Sequence, residues 1–441
     1  MNIKCLIIAA GQGSRMRHGG NGKPLVPVLG ISLIERILRA LVSTGVEEFY
    51  VVVGYKKEAL CAALEELSNK LAVSIRPIHN EHWNAGNGTS VYQAREELLE
   101  PFLLLMADHL FDPAIVRNLL QYPLPDGGIS LCVDFNLNNP LVDLEDVTQV
   151  KVVDGNIVSI GKGLDGYNGF DTGIFKCTPA IFDMLERSSR INGDATLSGA
   201  VGLLAAGGKA AACDIGGRFW IDVDNRAALK LAEQALLNDL RGKSTDGPVA
   251  RYLNRPISIR ISRFLARYPV TPNHISLFSF LCSLLAAGMI AAGGYPALAL
   301  GGLLAQFASV IDGSDGEIAR LKFQSSSYGG WLDAVLDRYA DGFLLFALTW
   351  HHYQIRTESW ILLIGFAAVI GSFMVSYTAD KYDNMMLDKI GRGASFRLGR
   401  DVRVLLIFIG AVFNQAALTL VVIAVLMNAE AIRRLFVCRN S

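Results

Sequence analysis

Asp312, Asp315, Asp333 and Asp337 are the residues whose types and spacing most constrain the chemistry of this chain. The first two stand in Asp312-Gly-Ser-Asp315-Gly316-Glu-Ile-Ala319-Arg320, and the others, after eight further residues, in Gly329-Gly-Trp-Leu-Asp333-Ala-Val-Leu-Asp337. Both stretches belong to apolar segments, and a carboxylate inside a membrane-spanning helix costs about 2.5 to 3.5 kcal/mol even on the mildest insertion scale. Helical spacing of i, i+3 and i, i+4 puts each pair on one helix face. The first pair precedes the basic stretch Arg320 to Lys322, and the second follows re-entry near Tyr328. At ~1.5 Å per residue both then lie roughly 7 to 14 Å below the same surface. Four carboxylates at one level repel strongly unless cations bind between them. Two Mg2+ ions clamping a diphosphate would neutralise the cluster, and the chemistry they serve is phosphoryl transfer.

A second constellation lies near the N-terminus. The apolar run ending at Ala10 leads into Gly11-Gln12-Gly13-Ser14-Arg15, with Lys23-Pro24 shortly after. A glycine-rich turn after a buried strand offers backbone N–H groups to an anion, and Arg15 with Lys23 would neutralise a triphosphate. The spacing is neither the G-x-G-x-x-G fingerprint nor a P-loop, because Lys23 is followed by Pro24. Asp108 closes the apolar run Phe102 to Met106, at the strand end where open α/β sheets bind ligands. Asp222 and Asp224 close another, and Asp108 with one of these two would hold one Mg2+, with Mn2+ the alternative.

Strands and helices must position these groups. Strands are expected at Lys4 to Ala10, Glu48 to Val53, Phe102 to Met106 and Ile129 to Asp134, with helices at Leu33 to Ser43 and Lys56 to Leu67. Their alternation predicts an α/β Rossmann-like unit with a mixed, mostly parallel sheet over residues 1–238. Residues 239–250 include the turn-rich Arg241 to Pro248 and form a linker. Residues 251–441 are expected to be all-α. There Arg251 to Tyr268 sets five arginines beside Ile257, Ile259, Ile261, Phe264 and Leu265, the composition of a helix lying in a membrane interface. Apolar segments near 274–293, 295–320, 328–350 and 357–380 are long enough to span, and shorter ones follow near 402–413 and 415–432. Positive charge concentrates in alternate loops, which predicts six transmembrane helices with both termini and the α/β unit on the cytoplasmic side of the cell membrane.

The 441 residues carry 41 basic and 41 acidic side chains, so no global field argues for nucleic acid as a partner. Seven scattered cysteines form no C-x-x-C pair and suggest neither a zinc site nor a disulfide framework.

The loop to Arg15 with Lys23, the Asp108 element and Trp220 to Asn225 together resemble the sugar-nucleotide pyrophosphorylase and cytidylyltransferase superfamily. Gly86-Asn87-Gly88-Thr89-Ser90, Met106 to His109, Ile160-Gly161-Lys162 and Asp171-Thr172-Gly173 are similar to CTP:inositol-1-phosphate cytidylyltransferases. The resemblance implies that Gly11, Gly13, Ser14, Arg15, Lys23, Asn87, Gly88 and Thr89 bind CTP, and that Asp108 and Asp224 hold the metal. It further implies that Lys162, with Asp171 and Thr172, faces the phosphorylated alcohol.

The pattern D-x-x-D-G-x-x-A-R-x8-G-x3-D-x3-D is met at every fixed position and resembles the CDP-alcohol phosphotransferase family. This implies that Asp312, Asp315 and Asp333 are metal ligands, and that Asp337 binds metal or serves as general base. It implies also that Gly316, Ala319, Arg320 and Gly329 line the CDP-alcohol pocket. Lys381, Arg400 and Arg403 are candidates for holding an anionic acceptor or for anchoring at the membrane. The combination is similar to bifunctional inositol-1-phosphate cytidylyltransferase and di-myo-inositol-phosphate phosphate synthases. Expected partners are CTP, inositol 1-phosphate, CDP-inositol and the lipid bilayer, with a homodimer through the membrane unit. A lipid hydroxyl or another polyol phosphate is the alternative substrate.

Overall fold

The structure, a computed structural model, describes residues 3–13, 15–16, 22–242, 247–379, 381–382 and 398–439. The chain divides into two compact units, Met1–Ala235 and Leu236–Ser441.

In the first unit the chain runs β1 (Lys4–Ile8), the paired short strands β2 (Pro27–Val28) and β3 (Ile31–Ser32), α1 (Leu33–Val42), β4 (Glu48–Val53), α2 (Lys57–Leu71), β5 (Ser74–His79) and α3 (Asn87–Tyr92). It continues through β6 (Phe102–Met106), β7 (His109–Phe111), α4 (Pro113–Gln121), β8 (Ile129–Asp134), β9 (Gln149–Val153), β10 (Asn156–Gly161) and β11 (Gly169–Cys177). It closes with α5 (Ala180–Asn192), α6 (Leu197–Ala206), β12 (Ala210–Asp214), β13 (Trp220–Asp222) and α7 (Arg226–Asp239). The nine-stranded sheet has the order β5-β4-β1-β6-β11-β8-β12-β10-β9. Its first four strands are parallel, and their buried runs, such as Leu103 to Leu105, are apolar on both faces as a covered parallel sheet requires.

The sheet is mixed, and less of it is parallel than strand–helix alternation implied. β11 pairs antiparallel with β6, β8 and β9, and β9 with β10 form a hairpin. Its turn is Asp154-Gly155, both at positive φ, which is the geometry that the right-handed twist of a two-residue hairpin demands.

The second unit begins with the wide helical turn Ala250–Asn254 and α8 (Arg255–Leu265). Among the described residues six helices follow: α9 (Pro272–Ala291), α10 (Tyr295–Leu321), α11 (Ser327–Arg356), α12 (Trp360–Tyr377), α13 (Arg400–Val412) and α14 (Ala416–Arg439). α10 packs against α8, α9 and α13, while α12 packs against α11 and α14. Thr271 and Ser326 cap α9 and α11 through their hydroxyls, so the turns entering both helices are fixed by sequence. Pro272–Ala291, Tyr295–Leu321, Trp360–Tyr377 and Ala416–Cys438 are long and apolar enough to cross a membrane. α11 has 30 residues but carries Asp333, Asp337 and Asp341, and α13 has only 13, so neither meets that standard by composition or length.

Small residues let these helices approach closely, as expected where lipid removes the hydrophobic drive for helix association. A Cβ on Gly410 of α13 would lie 1.7 Å from Thr419 Oγ1 of α14. Gly410→Ala should therefore destabilise the protein by about 1 to 3 kcal/mol in detergent, as overpacking does. Adding Thr419→Ala should recover part of that loss. Thermal unfolding of the purified variants measures both, and an unchanged midpoint for Gly410→Ala would contradict this helix contact.

Candidate active sites

In the first unit, β1 and β6 pair in parallel from Lys4 with Phe102 to Ile8 with Met106. Ala107 N–H donates to Ile8 O at 3.0 Å, so Asp108 emerges beside the glycine loop that leaves β1. β7 and β13 form an antiparallel ribbon in which Asp222 stands opposite His109, and Val223 N–H donates to Asp108 O at 3.0 Å. That ribbon brings Asp222 and Asp224 to Asp108 from a distant part of the chain. Gly13 has φ +60 and its missing Cβ makes room for the Lys23 side chain.

Lys23 is nearly buried and its Nζ contacts Asp108 Oδ2 at 2.6 Å, Asp224 Oδ1 more closely, and Asp222 Oδ1 at 3.6 Å. Arg15 reaches Asp146 at 2.6 Å and Asp224 at 3.6 Å, and Lys162 reaches the same Asp146 at 2.5 Å. A cavity of about 730 Å3 is lined by Gly11, Arg15, Asn87, Asp108, Lys162 and Asp224 among others. A smaller one of about 290 Å3 is lined by Gly11, Gly13, Arg15, Lys23, Asp108 and Asp224. The structure thus gathers most of the expected residues. Gly88 and Thr89 instead line a separate cavity of about 330 Å3 with Leu185 and Ala195, and Ser14 lies outside the described residues. Asn87 lines the site cavity while its Oδ1 accepts from Leu197 N–H at 2.8 Å, tying α3 to the start of α6.

Charge in this cleft is heavily coupled. Burial alone would lower Lys23, yet Asp108, Asp222 and Asp224 hold the ammonium above the usual lysine range. Burial would raise Asp108, but Lys23 and His109 keep it well below the usual carboxylate range. His109, whose Nδ1 lies 2.7 Å from Asp108 Oδ1, would be lowered by burial but is pushed up to about 9 by Asp222 and Asp108. Burial raises Asp222 to about 6, and Asp222 Oδ1 is buried without a hydrogen-bond partner. Asp108, His109 and Asp222 each present one ligand atom, all within 4.8 Å of one another. An orphaned carboxylate oxygen in an oxygen-rich cluster fits a hard divalent cation.

In the second unit Asp312, Asp315 and Asp333 present carboxylate oxygens within 4.8 Å of one another. Ser279 Oγ donates to Asp312 at 2.6 Å and Ser276 Oγ to Asp315 at 2.6 Å, both from α9. Asp333 Oδ1 is buried with no hydrogen-bond partner, and this all-oxygen set also fits a divalent cation. Arg400 Nη1 contacts Asp312 and Asp337 at 2.6 Å each, which draws the fourth aspartate in. Arg403 pairs with Asp341 at 2.5 Å, whereas Lys381 lies over the Tyr377 ring at 5.2 Å. Of these aspartates Asp312 and Asp337, but not Asp315 or Asp333, line a cavity of about 910 Å3, together with Gly313, Arg338, Arg400 and Arg433 among others. Gly316, Ala319, Arg320 and Gly329 stand on α10 and α11 next to the aspartates but do not line that cavity.

Residues 5–142 match the MobA-like NTP transferase domain family, and residues 269–432 match the CDP-alcohol phosphatidyltransferase family. A protein of Rubrobacter xylanophilus named bifunctional IPC transferase and DIPP synthase is 36% identical, over 99% of this chain and 97% of its own length. Its namesake in Aquifex aeolicus is 32% identical, over 98% and 97%. This chain belongs to the family of bifunctional IPC transferases and DIPP synthases. Among solved structures, the inositol-1-phosphate CTP transferase from T. maritima is 27% identical and covers 53% of this chain and 95% of its own, with a TM-score of 0.48.

Membership in this bifunctional family carries both an NTP transferase and a CDP-alcohol phosphotransferase, so the chain is an enzyme with two transferase units. Three charged residues at its sites escaped sequence reasoning. Asp341 continues the i, i+4 series of Asp333 and Asp337 and was legible as such. Asp146 sits in a polar loop with no periodicity to single it out. Glu317 stands inside the aspartate motif at an unconstrained position.

Asp171, which accepts from Gly173 N–H at 2.8 Å, is raised by burial to about 6. A folded value above the ordinary carboxylate range means that its contribution to stability is complete below about pH 4 and is lost as pH rises through about 6. Asp171→Asn keeps the acceptor oxygen and removes the charge. At pH 8 it should melt higher than the parent, by about 1 to 2 kcal/mol after allowance for partial exposure, and the difference should vanish near pH 4. Thermal unfolding at several pH values checks this.

Proposed function

We propose that the first unit transfers CMP from CTP to inositol 1-phosphate, giving CDP-inositol and pyrophosphate. The second unit then transfers the phosphoinositol group from CDP-inositol to a hydroxyl of a second inositol 1-phosphate, releasing CMP. The product is di-myo-inositol phosphate phosphate. The observation that carries this reading is the presence in one chain of two groups of side chains placed to hold a cation, Asp108 with His109 and Asp222, and Asp312 with Asp315 and Asp333, each beside a cavity lined by basic side chains. The family's names, which join an IPC transferase to a DIPP synthase, support it.

In the first step a phosphate oxygen of inositol 1-phosphate attacks the α-phosphorus of CTP, and pyrophosphate leaves with its bonding pair. Arg15 and Lys23, with the N–H groups of the Gly11 to Ser14 loop, hold the triphosphate, and Asn87, the member of the Asn87 to Thr89 stretch that lines the site cavity, supports the nucleotide. Lys162 faces the incoming phosphate. Asp108 and Asp224 are the proposed Mg2+ ligands, because the Lys23 ammonium already rests on both; Asp222 stands behind them with His109. In the second step the acceptor hydroxyl attacks the β-phosphorus of CDP-inositol, its proton passes to Asp337, and CMP leaves. Asp312, Asp315 and Asp333 are the proposed metal ligands there, with Gly316, Ala319, Arg320 and Gly329 flanking the CDP end. A divalent ion bound at either site supplies charge neutralisation for the phosphates and stabilises the leaving group.

We assign residues 1–238 to the cytidylyltransferase, 239–250 to a linker and 251–441 to the membrane phosphotransferase. All six helices α9 to α14 cross the bilayer in this reading, α11 because its carboxylates face the interior cluster and α13 as a short span paired with α14. The exposed apolar residues Ile257 and Phe264 of α8 support its placement in the interface. An even number of crossings leaves the first unit and both termini on one side, which the basic loops assign to the cytoplasm, and the membrane unit is proposed to associate as a homodimer.

Asp108→Asn should abolish pyrophosphate release and Asp337→Asn should abolish only CMP release, each by roughly 10²- to 10³-fold or more, the range typical of losing one charged group at such a centre. Mass spectrometry of products from CTP, Mg2+ and a panel of polyol phosphates reads both steps. If both releases persist in either variant, the division of labour is wrong. With labelled inositol 1-phosphate and membranes present, label entering the organic phase would instead mean a lipid acceptor. Separately, Asp224→Asn should raise the Mg2+ concentration needed for half-maximal pyrophosphate release more than Asp222→Asn does, and the reverse order would exchange their roles.

A further inference from the structure

α8 and the turn before it are amphipathic in an unusual sense, for beside Ile259 their inward face is polar. Asn254, Ser258 and Ser262 recur every fourth residue and are buried, whereas Tyr252, Ile257 and Phe264 on the other side are exposed. That polar face lies along α10, the helix that carries Asp312 and Asp315. Gln306 Nε2 donates to Asn254 Oδ1 at 3.0 Å, and Ser314 Oγ donates to Ser258 O at 3.3 Å.

The centre of this contact is Glu317, which has no exposed surface. Its Oε1 accepts from Arg255 Nη1 at 2.7 Å and from Ser258 Oγ at 2.6 Å, and its Oε2 accepts from Ser262 Oγ at 2.6 Å. Arg255 Nη1 also donates to Gly313 O at 3.2 Å, the carbonyl next to Asp312. Lys322, at the end of α10, donates to Tyr268 O at 2.5 Å and Val270 O at 3.1 Å and so holds the turn that leaves α8. A buried carboxylate is strongly destabilising unless it is paired and hydrogen-bonded, so this constellation defines the register of α8 on α10 rather than tolerating several.

α8 is also a wall of the reaction chamber. Asn254, Arg255 and Ser258 line the 910 Å3 cavity together with Ser309, Asp312 and Gly313. The fastening therefore bears directly on the turn of α10 that presents Asp312 and Asp315. We propose that Glu317 is a positioning residue for the phosphotransfer: by fixing α8 across α10 it closes one wall of the chamber and holds the Asp312–Asp315 turn in the geometry that binds metal. This rests on the reading of the aspartates as metal ligands. Glu317 touches no reacting atom in this arrangement; it acts through Arg255, the two serines and the backbone of Gly313.

The test uses the full-length protein in detergent or membranes with Glu317→Gln, which keeps the size and loses the charge. Pyrophosphate release should match the parent. For CMP release the Mg2+ concentration at half-maximal rate should rise about tenfold and kcat should fall about tenfold, the scale of losing charge-assisted hydrogen bonds, with KM for the CDP-alcohol little changed. A readout independent of turnover is the Mn2+-induced rise in melting temperature, expected to require correspondingly more Mn2+. If Glu317→Gln merely melts lower with an unchanged metal requirement, the positioning role is overturned and Glu317 is structural only. Should that variant not fold, Ser262→Ala removes one donor of the three; a smaller shift in metal requirement supports the proposal and none overturns it. Failure of the underlying reading is distinguishable, because the parent itself would then release CMP without divalent metal or fail to bind Mn2+.

Discussion

Uncompensated negative charge is what the membrane unit is built around. Asp312, Asp315, Asp333, Asp337 and Asp341 all project from two helices into the interior of a helical bundle, where like charges interact far more strongly than in water. The chain answers with oriented donors: Ser276 and Ser279 from α9, Arg400 between Asp312 and Asp337, and Arg403 on Asp341. Each donor comes from a different helix than the carboxylate it serves, so the helices α9, α10, α11 and α13 are held in one relative arrangement. The compensation remains incomplete at Asp333, whose orphaned oxygen is where a divalent cation is most needed. Close crossings at small residues, such as Gly302 against Ala411, are what allow these short side chains to reach across.

The site of the first unit meets the same problem with different means. Asp108, Asp222 and Asp224 converge because a parallel strand pair and a separate antiparallel ribbon end at one place, and Lys23 is delivered by the loop between them. Phosphate groups of a nucleotide carry their own charge into the cleft, so cations there must be available to substrate as well as to carboxylates. Asp146, shared by Arg15 and Lys162, keeps both cations oriented toward the cavity without burying them. The pairs are partly solvated, and for that reason they are exchangeable where the buried pairs of the membrane unit are not.

What could be read from sequence follows the range of the forces involved. Strands Glu48–Val53, Phe102–Met106 and Ile129–Asp134 stand where their continuous apolar runs placed them, and the four aspartates of the phosphotransferase motif were legible because helical spacing is a local rule. The antiparallel half of the sheet was less visible: β9 and β10 carry polar, exposed positions, the apolar run of β11 is interrupted by Asp171 and Thr172, and their pairing is fixed by distant neighbours. The partition of Gly86 to Ser90 into Asn87 facing the site and Gly88 with Thr89 facing away depends on α3 packing against α5 and α6, which no local pattern encodes. Glu317 was hidden for a related reason. Its partners stand 55 to 62 residues away by sequence and are adjacent only once α8 lies on α10.

The two units also differ in which cation they bury among their carboxylates, and the difference follows from dielectric. A lysine ammonium is a point charge that can give up its proton when its surroundings become apolar, so it is safe only where water or several carboxylates remain close, as around Lys23. A guanidinium does not discharge, is weakly hydrated, and offers planar donors to more than one carboxylate at once. Arg400 spans Asp312 and Asp337, and Arg403 meets Asp341, where a lysine would reach one oxygen and face a larger penalty for dehydration. The same logic applies to Arg255 on Glu317. Within the helical bundle the chain has therefore set arginine against Asp312, Asp337, Asp341 and Glu317, has given Asp315 a serine hydroxyl, and has kept its carboxylate-bound buried lysine for the cleft of the first unit.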